Sequence, residues 1–149
     1  MLSEPEAGWA TITIGDFVGS VSYLEDSAMN CLDALITLFQ TNVNTSVTFD
    51  EEESECTIIF SHCETIIFRV ENAGTNLHCV FNNAFYYAKE ICNDVSKNLA
   101  KWVNWLPGEY TEDELILREE EFLLKLNRLS KLAHKHNIIE NMNRRVIGE

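Results

Sequence analysis

No lysine or arginine occurs in the first 68 residues. That part of the chain therefore has no cationic anchor for a phosphate-bearing substrate, and it repels DNA, RNA and anionic membrane. Long apolar runs are also missing, since nothing reaches the roughly 18 uninterrupted apolar residues of a membrane helix. The opening MLSEPEAGW is acidic where a secretory signal is basic, and no apolar segment follows it directly. These absences read as a cytoplasmic protein with no nucleic-acid or membrane partner. GxSxG, HExxH, the Walker glycine loop and GxGxxG are absent as well. The expectation is a protein that is not an enzyme and has no catalytic residues.

The five cysteines (Cys31, Cys56, Cys63, Cys79, Cys92) are odd in number and follow no repeating spacing, which reads as packed thiols rather than disulfides. His62-Cys63 and His78-Cys79 suggest zinc, but adjacent side chains in a strand point to opposite faces, so neither pair chelates by itself. His134 and His136 diverge by about 200° on a helix. The acidic stretch 50–55 lacks the alternating ligands and central glycine of a calcium loop. No metal and no cofactor is expected. Asp16 and Asp33 with Glu25 or Asp26 form the one Mg²⁺ arrangement open to a carboxylate-dependent hydrolase. Carboxylates are so frequent here that any fold would juxtapose some.

What the chain has in plenty is negative charge, unevenly placed. Of its 149 residues, those up to Arg69 include twelve acidic and one basic; the remainder include twelve acidic and ten basic. The net charge of −13 thus sits almost wholly in the first half. Apolar residues make up 46%, with eight Phe, three Trp and four Tyr, enough for one core in a chain of single-domain length.

Periodicity divides this domain in two. WATITIGDF alternates as a first strand, Gly15-Asp16 mark a turn, and FVGSVSYL suggests a second strand. A helix follows from Ser22 or Asp26 to Gln40, with Ser22 and Glu25 as a capping box and Asp26 as the competing N-cap. Strands are predicted at 46–50, 55–60 and 64–70, joined by hairpin-sized connections, with Cys56, Ile58 and Phe60 on one face and Ile66, Phe68 and Val70 on one face. ENAGTN reads as a turn and LHCVF (77–81) as a fourth strand. From residue 84 the period becomes helical. One helix runs over 84–106, stopping before Pro107-Gly108, and another over 112–135, opened by Thr111 and its capping partner Glu114. Trp102 and Trp105, three apart, read as core. Residues 1–8 and 138–149 are expected to be flexible. The predicted architecture is α+β: an antiparallel sheet with one helix inserted near its start and two long C-terminal helices.

The acids Asp50, Glu51, Glu52, Glu53 and Glu55 crowd one hairpin, where like charges cost only tenths of a kcal/mol per exposed pair. Facing a cationic partner, the same groups accept charge-assisted hydrogen bonds. The pattern GWATITIGDFVGSVSYLEDSAMNCLDALITLF, followed by TFDEEE and CTIIF, resembles small cytosolic bacterial immunity proteins. These neutralise polymorphic or contact-dependent growth-inhibition toxins. The likeness spans roughly residues 9–70 and rests on Tyr23, Leu24, Asp26, Asp50 and Glu51; nothing from Val80 onward matches. It implies a monomeric protein that binds the C-terminal domain of a cognate toxin, frequently a basic nuclease, and plugs its active site or an adjacent surface. The partner-binding residues expected on this reading are Glu25, Asp26, Asp50, Glu51, Glu52, Glu53 and Glu55. The alternative is an acidic secretion chaperone, usually dimeric, which binds an effector through apolar grooves.

Overall fold

The computed structural model describes residues 1–71, 74–80 and 84–147, with backbone alone at 71, 78 and 138–147. Strands β1 (Trp9–Ile14) and β2 (Phe17–Ser22) form an antiparallel hairpin that is a sheet of its own. Helix α1 (Ser27–Thr41) leads into a four-stranded antiparallel meander. Its strands are β3 (Thr45–Asp50), β4 (Ser54–Phe60), β5 (Thr65–Glu71) and β6 (Gly74–Val80), in that order. Helices α2 (Ala84–Lys97), α3 (Leu99–Val103) and α4 (Glu112–Ile147) complete the chain. The α+β class holds, with the correction that the strands make two sheets. β6 begins at Gly74, inside the stretch read as a turn, while Phe81 lies outside the described residues.

The core lies between one face of the meander and the helices. Val47, Phe49, Cys56, Ile58, Phe60 and Ile67 supply the sheet side. Leu32, Leu35 and Leu38 of α1 and Tyr87 of α2 belong to the same core, and Phe122 and Leu129 of α4 join it where α4 packs on α1 and α2. α1 ends at Asn42 in the left-handed conformation, where a short polar side chain is tolerated. Its N-cap position is Asp26, and Ser22 is the last residue of β2. The Thr111–Glu114 capping box is present: the Thr111 N–H donates to Glu114 Oε2 at 2.8 Å and the Glu114 N–H to Thr111 Oγ1 at 3.3 Å.

Three expectations need correction. The helix over 84–106 is broken at Asn98, which receives the end of α2 and starts α3, turning Trp102 and Val103 into the core. Residues 1–8 are tied down. Leu2, only 4% exposed, bridges to Ile12, and the Ser3 N–H donates to the Thr11 carbonyl at 2.8 Å. α4 runs on through Ile147, past the expected end at 135. Ile66, Phe68 and Val70 do share one face of β5, and it is the outer one, because Thr65 and Ile67 point into the core.

Candidate functional site

The acidic stretch forms the turn between β3 and β4. Pairing sets Asp50 opposite Glu55, and the Glu51 N–H donates to the Ser54 carbonyl at 2.9 Å. Asp50 Oδ1 accepts the Glu52 N–H at 2.7 Å, a local bond of the kind that stabilises tight turns. It helps hold Glu52 at φ 68°, a left-handed conformation that few non-glycine residues adopt. Asp50, Glu52, Glu53 and Glu55 are exposed.

Glu51 is not. Expected as a partner-binding residue, it has a side chain only 6% exposed and held from three sides. Arg69 grips it with two bonds, Nε to Oε2 at 2.9 Å and Nη2 to Oε1 at 2.7 Å. Ser54 Oγ donates to Oε2 at 2.7 Å and the Ser20 N–H to Oε1 at 2.9 Å. Burial pushes the Glu51 pKa up. The bonds from Arg69, Ser54 and Ser20, together with the Arg69 charge, outweigh that and hold it below the usual carboxylate range. Arg69 also donates to the Val18 carbonyl at 2.8 Å and lies over the Phe17 ring, so this ion pair fastens the β1–β2 hairpin onto the meander. Gly19 makes room for it, since a Cβ there would sit 3.1 Å from Glu51 Oε1.

Asp26 is likewise committed inside the protein. Arg118 Nη1 and Nη2 donate to its two carboxylate oxygens at 2.6 and 2.9 Å, and Arg118 Nε donates to the Val103 carbonyl at 2.9 Å. The Asp26 side chain makes no capping bond; it joins the start of α1 to α4 instead. Its neighbour Glu25 remains available. The Glu25 backbone is fixed by Trp105, whose Nε1 donates to its carbonyl at 2.8 Å. Partial burial, then the charges of Asp50 and Glu55, raise the Glu25 pKa above its ordinary value. Carboxylates from two separate segments therefore share one field.

The meander's outer face continues from this acidic corner. Glu55 pairs with Val70 and Val70 with Thr75; Thr57 pairs with Phe68 and Phe68 with Leu77. Val70 and Leu77 are exposed, while Ile59, Ile66 and Phe68 are half-buried outside the core. Arg69, Ser54, Gly19 and Arg118 do not announce themselves in the sequence as part of this region. The one available signal was Arg69 itself, the first cation of the chain.

Among the described residues, which do not include the His78 side chain, the zinc and Mg²⁺ arrangements do not assemble. Burial pushes the thiols of Cys31 and Cys56 up to about 12 and that of Cys92 to about 11, so all three are protonated at neutral pH. His62 stacks on His136 at 4.2 Å, both edge-on to Phe39, while His134 is exposed. Asp33 bonds to Lys125 at 2.7 Å and Asp26 to Arg118, which takes both out of the Mg²⁺ arrangement. Among the described residues no group of three or more His, Cys, Asp or Glu is placed to hold a metal ion. A shallow groove of about 420 Å³ between α1 and β3 has Asp33 as the single titratable group in its lining. No helix among the described residues is long and apolar enough to cross a membrane. Compared with protein-family models, curated proteins and solved structures, the chain matches none of them.

Proposed function

We propose that this protein is an immunity protein, which binds the basic C-terminal domain of a cognate toxin and blocks it through the corner formed by Glu25, Asp50, Glu52, Glu53 and Glu55. One observation supports the reading above others. Four of the twelve acids up to Arg69 are paired with a cation: Glu4 with Lys101, Asp26 with Arg118, Asp33 with Lys125 and Glu51 with Arg69. Of the eight that carry no ion pair among the described residues, five converge on this corner. The unpaired acids of this half are thus concentrated here, with Glu6, Asp16 and Glu64 the other three. A cationic surface fits such a corner, and long-range attraction speeds the encounter.

The test is binding and protection by the double reversal Glu52→Lys/Glu53→Lys, which leaves Glu51 in place. Circular dichroism should show an intact fold, because both side chains are exposed. Association with the cognate toxin domain should slow by about tenfold or more at low salt, and by less at high salt as screening removes the attraction. Inhibition of the toxin's activity is the readout, because a secretion chaperone could bind an effector without inhibiting it. A folded double variant that binds and protects like the wild type at both salts would remove this corner from the interface.

A further inference from the structure

Helix α4 carries two apolar faces. Phe122, Leu126, Leu129 and Ala133 are buried against the rest of the fold. On the other side Ile116, Leu117, Leu123 and Leu124 are 47, 65, 51 and 68% exposed. Successive helical residues turn by about 100°, so Ile116 and Leu123 lie in one row and Leu117 and Leu124 in a second, each about 10 Å long. Exposed Asp113 and Glu120 fall between the rows. The nearby cations are turned elsewhere: Arg118 to Asp26, Lys125 to Asp33 and Glu121, and Arg128 to the Gln40 amide. Lys131, about three turns beyond Glu120, is the first cation on the strip itself. A solvated helix face has no need of four large aliphatic side chains at this spacing, and one core-facing stripe already docks α4.

We propose that this outer face of α4 is a docking surface for a basic amphipathic helix of another protein, whose apolar residues lie along the two rows and whose Lys or Arg side chains reach Asp113 and Glu120. Charge selects this occupant. A second copy in parallel register would set Asp113 and Glu120 against themselves. An antiparallel copy centred on the stripe would oppose Glu120 to Glu120, with Glu119 and Glu121 beside them. An anionic bilayer meets the same repulsion, and the strip lacks the basic flank of a membrane-surface helix. Shape selects a helix, because two rows of side chains, each with its members seven residues apart on a convex ridge, match a second helix packed at about 8–10 Å. A strand would instead require an open sheet edge. The proposal stands apart from the Glu25–Glu55 corner and does not depend on the immunity reading.

The probe is a labelled Leu/Lys peptide of about five turns with leucines at i, i+3, i+4 and i+7 spacing. Its controls are a scrambled peptide of the same composition and a Leu/Glu version. Fluorescence anisotropy should show saturable one-to-one binding of the Leu/Lys peptide only. Affinity should fall about tenfold or more for Leu117→Gln/Leu124→Gln, and also for Glu120→Lys, which leaves the apolar rows intact. Neutralising the other corner with Glu52→Gln/Glu53→Gln should leave it within about twofold, as expected of independent sites. Equal binding of the scrambled peptide, or full binding by both α4 variants, would overturn the proposal. So would a doubled mass in light scattering that Leu117→Gln/Leu124→Gln abolishes, because the occupant would then be a second copy.

Discussion

Glu51 and Glu25 show how differently two carboxylates of one acidic region behave. Removing Glu51 deletes its bonds to Arg69, Ser54 and the Ser20 N–H and so weakens the fastening of the β1–β2 hairpin, although the Arg69 bond to the Val18 carbonyl remains. Glu51→Gln keeps the shape and some of the hydrogen bonds, so it should cost about 1–2 kcal/mol, whereas Glu51→Lys, which opposes two cations, should cost about 3 kcal/mol or more. The pH dependence follows from the depressed Glu51 pKa. Its stabilisation is present above the unfolded carboxylate value of about 4.3 and is lost as pH falls through the lower folded value. Glu25 has the opposite sign: its raised pKa means that the charged form opposes folding at neutral pH, and protonation relieves this as pH falls through the raised value. Urea denaturation should therefore place Glu51→Gln below the wild type at neutral pH, with the gap closing in acid, and Glu25→Gln level with or slightly above the wild type. The sequence alone could not separate the two, because every acid in a charged turn looks solvated until the register brings Arg69 beneath one of them.

Elements were more legible than the faces they present. The hairpin strands, the turn at Gly15-Asp16, the α4 capping box and the helical period from residue 84 follow from local patterns, and the structure has each within a few residues. The face of β5 does not, because strand alternation gives two faces and only the register says which is inward. Residues 66, 68 and 70 are the more apolar set. The Ser61–Glu64 turn nevertheless fixes Phe60 opposite Thr65 and Ile58 opposite Ile67: the Ser61 N–H donates to the Glu64 carbonyl at 3.1 Å and the Glu64 N–H to Ser61 Oγ at 3.0 Å. Ile67 is consequently fully buried, and Phe68 is only half-buried. The break at Asn98 and the anchoring of Leu2 were invisible for the same reason, since tertiary packing decides them. The direction of the face is testable. Ile67→Ala should cost about 3 kcal/mol and Phe68→Ala about 1 kcal/mol, the reverse of what side-chain size alone suggests. Equal or reversed losses in chemical denaturation would contradict Ile67 as the inward residue.

Over the whole molecule, the uneven charge along the chain is partly repaired in space. Lys101, Arg118 and Lys125 reach back from the second half to Glu4, Asp26 and Asp33, which stitches the two halves together and exhausts those acids as recognition elements. The corner around Glu25 keeps its repulsion. If a cationic toxin surface docks there, as proposed, its charges must lower the Glu25 pKa from the raised value of the free protein. Binding then releases the proton wherever Glu25 is partly protonated, so affinity should weaken as pH falls through that raised value and be flat above it. One titrating group limits the slope to about tenfold per pH unit. The fold should persist over this window, because the Glu51–Arg69 pair titrates only at lower pH. Calorimetry in two buffers of different ionisation enthalpy would count the released protons directly. Glu25→Gln should abolish that release and flatten the affinity profile while leaving neutral-pH binding within a few-fold of the wild type. Proton release that persists undiminished in Glu25→Gln would place the linked group elsewhere and remove Glu25 from the contact.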